Sequence, residues 1–474
     1  MRLLVSNGTV VTAAGPVRAD IACADGRVAA LVEPAAPTQA DEVLDASGCL
    51  VFPGFIDPHV HSRDPGATDK EDFGHSTMGA LAGGITTVLE MPNAIPPVTD
   101  AAMFRERARH HERSAWVDFG LWGLSLGRSN IDELEGLFAE GAVAVKLFWG
   151  YALDRDTKQL IYNTAGHPPE RLLAPPETGD VWDVCREVAR VGGLLGAHCE
   201  DRHVLDAAQR ATGAVETYAE LMASRPDTAE AAAIALATEL SRSTGCRFHV
   251  VHMSSARGAE LVRSAQAAGV ALTAETCPHY LLLTDASFDL LGPLMKVYPP
   301  VRAEADRQAL WAAVLDDTIS SLGSDHAPHT VADRQGPLGA QPAGMIGVET
   351  LVPLLLDEVT HGRLPVTRLT QILAERTARL YGLYPRKGAL LPGSDADMTV
   401  VDPDASWTID NEALHAKQPL SPWHGWRVRG MPVASVLRGR VVMRDREPVG
   451  ERRGRLVRAR HQAPATGPET ATTR

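Results

Sequence analysis

No two cysteines in this 474-residue sequence stand at CxxC spacing, and the six present are scattered. That pattern excludes a disulfide framework as the organising device. No apolar run approaches the roughly 20 residues that a membrane span needs. No leader pattern is legible either, so a reducing cytoplasm is the expected location. Positive charge is in deficit: 46 Lys and Arg stand against 59 Asp and Glu, a formal net charge of -13. A chain of that sign is a poor partner for nucleic acid or an anionic membrane. Neither a solenoid repeat nor a Gly-rich phosphate-binding first turn is present. What remains is an ordinary globular composition, 45% hydrophobic and 22% charged. The length suits one large domain and a smaller one.

Residues 1–50 read as short strands between turns, with apolar runs at Leu3–Val5, Val10–Val11 and Val28–Val32 and turns at Asn7-Gly8 and Asp25-Gly26. From about 51 the pattern becomes strand-then-helix, repeated eight times, with strands expected at 51–56, 85–91, 116–121, 142–148, 193–198, 247–253, 270–275 and 319–324. Most of these runs are apolar on both faces, as parallel strands covered by helices require. The fold class is therefore α/β: a (β/α)8 TIM-like barrel over 51–385. Residues 149–180 interrupt the alternation with Pro168-Pro169 and Pro175-Pro176, and are expected to form a lid over the barrel mouth. After a helix near 366–382, strands are expected at 388–391, 397–401 and 435–442. With the N-terminal strands they should form a small β-sandwich from residues 1–50 and 386–454. The tail from 455 to 474 has little apolar content and is expected to be disordered.

Chemistry in such a barrel belongs at the C-terminal ends of the strands. The first strand ends in Asp57-Pro58-His59-Val60-His61. Residues i and i+2 of a strand share a face, so the two imidazoles can aim at one point. Alone, such a pair is more often two ordinary histidines at a strand end. Here the fourth strand carries Lys146, the fifth ends at His198, the sixth at His252 and the eighth at Asp325. Four histidines, a lysine and an aspartate thus converge on one mouth. His249, three residues before His252, should face away and pack. Lys146 admits two readings. An ammonium has no lone pair for a metal, so it is either paired to a buried carboxylate or carboxylated to a carbamate that can bridge two metals.

The run Gly54 to Pro97 resembles the signature of the dihydroorotase family: His59-Val60-His61-Ser62-Arg63-Asp64-Pro65-Gly66, then Gly83-Gly84-Ile85-Thr86-Thr87 and Met91-Pro92-Asn93. Thr276-Cys277-Pro278-His279-Tyr280, Ser324 to His329 and Gly344 to Thr350 continue it along almost the whole chain. The likeness extends to the wider cyclic amidohydrolase group of allantoinases, hydantoinases and dihydropyrimidinases. It implies a barrel with a β-sandwich, and two divalent ions, zinc in the family, bridged by a carboxylated lysine. Carried over, the ligands are His59, His61, carboxylated Lys146, His198, His252 and Asp325, with Asp325 also moving the proton. It implies a small cyclic amide or ureide as substrate and a homo-oligomer, dimer or tetramer.

Arg63, Asn93 and His329 match positions that hold the dihydroorotate carboxylate, a task suited to a guanidinium fork. Two features depart from that pattern. Tyr298 stands where dihydroorotases normally carry a ring-contacting asparagine, and Phe148-Trp149-Gly150-Tyr151 resembles the hydantoinase ending of the fourth strand, whose tyrosine polarises the scissile carbonyl. The leading expectation is hydrolysis of dihydroorotate or a related anionic ring. Allantoinase or hydantoinase/dihydropyrimidinase is the alternative, and a non-catalytic dihydropyrimidinase-like scaffold the remote one.

Overall fold

The computed structural model describes residues 1–161 and 167–461. Eight parallel strand segments follow one another in chain order: β1 (Phe55–Val60), β2 (Ile85–Glu90), β3 (Asp118–Leu121, resuming at Gly123–Leu124), β4 (Val145–Phe148), β5 (Leu194–His198), β6 (Arg247–Val250), β7 (Leu272–Thr276) and β8 (Ser321–Leu322). β1 to β3 pair in sequence order, and the second half of β3 through β8 do the same. Trp122 separates the two halves of β3, with its N–H on Glu90 O and its indole N–H on Pro58 O. A parallel bridge between Val60 and His326 ties the end of β1 to the segment after β8. β1, β2, β4 and β5 are buried at every position, as parallel strands covered on both faces are, and the polar residues they carry are buried with them.

Helices cover these strands. Asp227–Thr244 is Ala-rich, which favours helix intrinsically, and it stops at Gly245 in the left-handed conformation, φ 72°. Its buried face is Ala229, Ala233, Ile234, Ala237 and Leu240. Glu230 is buried among them because its carboxylate accepts the Ser254 N–H at 2.7 Å, just past the end of β6.

The two chain ends meet in a β unit. A seven-stranded sheet runs Glu447–Pro448, Arg440–Arg444, Arg427–Leu437, Met398–Thr408, Leu50–Pro53, Thr9–Thr12, Gly15–Arg18. A four-stranded sheet joins Arg27–Val32, Asp20–Ala24, Arg2–Ser6 and Glu42–Asp45. Leu3, Val5, Ile21, Leu44, Val51, Met398, Val400 and Val436 share one core between them.

Four expectations need correction. The strand read as 51–56 is two: Leu50–Pro53 pairs antiparallel with Met398–Val401 in the β unit, and β1 begins at Phe55. Gly54 makes the switch, since a Cβ there would lie 2.2 Å from Thr86 Oγ1 and 2.8 Å from Asp397 Cβ. Residues 388–390 are buried and Leu391 is exposed, and none of them forms a strand. The interrupting stretch carries strands that its sequence pattern does not show: Ala152–Asp154 pairs antiparallel with Leu160–Ile161 and Leu172–Leu173. The tail is not disordered from its start, because Val457 is fully buried, its N–H donates to Phe119 O at 2.7 Å, and His461 donates to Ala142 O. A short apolar anchor suffices when a strand end offers unpaired carbonyls. The remainder of the tail, 462–474, lies outside the described residues.

At the opposite end of β3 from the site, Lys387 is buried with Nζ 2.6 Å from Asp118, 3.0 Å from Asp395 and 2.5 Å from Asp397. Asp118 opens β3 and Asp397 precedes the Met398 strand, so one ammonium fastens the parallel strands to the β unit. Removing one partner of a buried pair leaves uncompensated charge, at a cost of about 3–5 kcal/mol. Lys387→Met is therefore expected to lower the urea midpoint by a corresponding amount; an unchanged midpoint would show that Arg438, whose guanidinium also pairs with Asp118, suffices alone.

Candidate metal centre and reaction cleft

One cleft is lined by His59, His61, Arg63, Lys146, Phe148, Tyr151, Leu160, His198, His252, Tyr298 and Asp325, among others. The strand ends thus bring together all six expected ligands. His59 Nε2 lies 3.3 Å and His61 Nε2 3.4 Å from Asp325 Oδ1, and donor atoms of the three fall within 4.8 Å of one another.

The hydrogen bonds behind the rings determine which nitrogen faces the cleft. His59 Nδ1 is 2.8 Å from Glu275 Oε1, and His61 Nδ1 is 2.8 Å from Asn93 Oδ1. In the neutral tautomers these nitrogens carry the hydrogens, so both Nε2 lone pairs face the Asp325 carboxylate. Three acceptors aimed at one another need a cation between them. His198 repeats the arrangement: Nε2 bonds Glu200 Oε2 at 2.7 Å, and Nδ1 faces His252 Nε2 at 3.1 Å. The amine of Lys146 and Nε2 of His59 are buried with no hydrogen-bond partner among the described residues. This donor set fits metal ions.

Electrostatics agree. Burial pushes His61 down to about 4 and lowers His198 and His252, so these rings are neutral at pH 7, as ligands must be. Burial opposes ionisation of Asp325, yet in the company of the His59, His61 and His252 rings its carboxyl lies well below the ordinary carboxylate range. Burial likewise opposes ionisation of Glu275, yet His59 and His249 bring it down to about 2. Lys146 is pushed down to about 8 by burial, against the pull of Asp325 and Glu275. It sits 5.1 Å from the Phe148 ring and has no ion pair or hydrogen-bond partner among the described residues.

The backbone is strained here. Arg63, His252 and Asp325 are non-glycine residues with φ of 61°, 39° and 47°. Such conformations persist where surrounding structure over-determines them, and they cluster at functional sites.

Among the expected substrate contacts, Arg63 and Tyr151 reach the cleft wall. Asn93 and His329 lie behind it. Asn93 orients His61, and His329 Nε2 is 3.2 Å from an Arg63 terminal nitrogen and 3.0 Å from Ala343 O. Both are expected to touch substrate, and in this structure each bonds a neighbour that lines the cleft. His249 packs as expected, with Nδ1 2.8 Å from Thr273 Oγ1. Sequence reasoning missed Glu275, Glu200 and Arg225. Glu275 carried one usable signal, an acid on the seventh strand in the otherwise weakly polar run Leu272–Thr276.

A model of the amidohydrolase family matches residues 50–442. An allantoinase of Rubrobacter xylanophilus is 38% identical over 97% of this chain and 98% of its own. A dihydroorotase of Pediococcus pentosaceus is 31% identical over 93% of this chain and 99% of its own. The solved L-hydantoinase from Arthrobacter aurescens superposes with a TM-score of 0.89 at 32% identity, covering 96% of this chain and 99% of that one. The expectation that placed dihydroorotate first thus gives way: the allantoinase likeness is stronger, and the hydantoinase shares the fold over nearly its whole length.

Proposed function

The chain belongs to the amidohydrolase family, within its cyclic amide hydrolases, and from that premise we propose that it opens a five-membered ureide ring, allantoin first and hydantoins next. The observation that carries this choice is the pair of tyrosines in the cleft wall. Tyr151 and Tyr298 both line the cleft that holds the ligand cluster; Tyr298 stands where a dihydroorotase pattern would place an asparagine, and Tyr151 belongs to the hydantoinase-like ending of the fourth strand. The parallel strands are read as a closed barrel, supported by the Val60–His326 bridge. The active assembly is proposed to be a homo-oligomer, dimer or tetramer.

Two divalent ions, zinc by family resemblance, would be held by His59, His61, His198, His252, Asp325 and Lys146 as its carbamate. When bound, they acidify water and polarise a carbonyl. A neutral amine is what reacts with CO2, and the depressed basicity of Lys146 supplies it near neutral pH. The protein's own residues do the rest. Asp325 Oδ1, ionised between His59 and His61, accepts the proton from water and returns it to the leaving ring nitrogen. The Tyr151 hydroxyl donates to the scissile carbonyl oxygen as charge develops there. Tyr298 flanks the ring, and Arg63, fixed by Pro328 O and His329, meets the polar substituent opposite the bond that breaks.

A turnover panel of allantoin, hydantoin, dihydrouracil and dihydroorotate on metal-loaded enzyme tests this. Allantoin is expected to show the highest kcat/KM; if dihydroorotate exceeds it, the ureide reading is wrong. Arg63→Ala separates the cases further. Losing one partner of a buried charge-assisted pair costs about 2–5 kcal/mol, roughly 30- to 5,000-fold. A loss of that size is expected only for carboxylated rings, with hydantoin changed by less than about tenfold.

A further inference from the structure

We propose that Arg225 is a positioning residue that sets Tyr151 and Tyr298 as walls of the cleft and ties them, through Glu200, to the ring of His198. The proposal rests on the ring-opening reading above for the role of Tyr151, but not for its geometry.

Arg225 follows the short helix Tyr218–Ser224 and precedes Pro226, which caps the long helix Asp227–Thr244. Its backbone is therefore held from both sides, and its carbonyl accepts from Arg302 at 3.1 Å. The side chain is 2% exposed. One terminal nitrogen donates to the Tyr151 hydroxyl at 2.8 Å and also to Glu200 Oε2. The guanidinium carbon lies 3.8 Å from the centre of the Tyr298 ring and 5.5 Å from that of Tyr151. Glu200 Oε2 is the same oxygen that bonds His198 Nε2 at 2.7 Å. One cation thus touches both tyrosines of the wall and the carboxylate that orients His198.

Charge balance alone does not require this geometry. Glu200 compensates the buried guanidinium, and an ion pair between them could form with neither tyrosine present. The contacts with the tyrosines have a directional consequence. A guanidinium only donates, so the Tyr151 oxygen must be the acceptor in that bond. The phenol O–H then points away from Arg225 and reaches Glu200 Oε2 at 3.5 Å, a long contact that a substrate carbonyl can replace. Accepting a charged donor polarises the phenol into a stronger donor. The guanidinium over the Tyr298 ring, 3.8 Å from its centre, holds that second wall residue. Lysine keeps the charge but has neither the planar face nor the fork.

Arg225→Lys is the test, because it keeps Glu200 compensated and the fold intact. Its metal content should equal that of wild type, while kcat for allantoin falls about 10- to 100-fold. In a Tyr151→Phe background the same substitution should cost less than about threefold, since contacting residues are non-additive. Unchanged kcat and KM, or an equal loss in both backgrounds, would overturn the proposal. A second readout needs no turnover. The sequence has seven tyrosines, so fluorotyrosine labelling gives few resonances, assigned by Tyr151→Phe and Tyr298→Phe. Without substrate, Arg225→Lys should shift both of these and leave the others in place; two unmoved resonances would overturn it. If they shift but wild type opens no ring, the positioning role stands and the ureide reading falls. If wild type is active and they do not shift, the reverse holds.

Discussion

Asp325→Asn is expected to reduce kcat by about 10²- to 10⁴-fold, the usual worth of a positioned proton-transfer group, with little change in KM. The amide is nearly isosteric with the carboxylate, so the positive φ of 47° and the packing between His59 and His61 can persist. It cannot, however, accept a proton from water and pass it to a ring nitrogen. Its carbonyl oxygen still offers one lone-pair site, so metal content should fall by less than the activity does. Elemental analysis beside steady-state kinetics separates the two effects. If the variant loses activity only in proportion to its metal, Asp325 is a ligand without a proton-transfer role.

Lys146→Ala should have a broader effect, loss of both metal and turnover. Of the six expected ligands, Lys146 Nζ is the one that cannot ligate as an ammonium, yet it is buried with no hydrogen-bond partner among the described residues, on the strand beside the one that ends in His198. A lysine serving only as a packed amine would leave a small cavity on removal and cost stability. A carbamate would leave two divalent ions without their bridging anion, and like charges at close range repel strongly. Metal stoichiometry well below that of wild type is expected. Partial return of metal and activity is expected when a short carboxylic acid is added, because it restores the missing anion. Mass spectrometry under non-denaturing conditions should detect CO2 on wild type and none on the variant. Full metal content in Lys146→Ala would remove the carbamate from the mechanism.

Much of this protein was legible in its sequence, for a local reason. Strand periodicity puts His59 and His61 on one face, and chain-order pairing of parallel strands puts Lys146, His198, His252 and Asp325 at matching ends. Both facts follow from short-range geometry and the all-apolar runs that strands buried on both faces require. Which side chains gather at one cleft could therefore be read without coordinates. Their orientation could not. The partner that fixes the tautomer of His59 is Glu275, 216 residues away, and no local pattern encodes which carboxylate will approach which ring nitrogen. The same applies to Asn93, which a motif places near substrate and packing places behind His61. Arg225 shows the limit most clearly. In the sequence it is an arginine before a proline, indistinguishable from a helix-end surface residue. Its role exists only because the end of a short helix lies over Glu200, Tyr151 and Tyr298, residues contributed by the segments after β5, after β4 and before β8. Likewise Val457 and His461 sit in a stretch too polar to predict order, and they are held because the turn and strand ends at Ala142 and Phe119 present unpaired backbone groups to them. Composition and periodicity report which groups a segment must bury or expose; which partner satisfies a buried polar group is decided where distant segments meet.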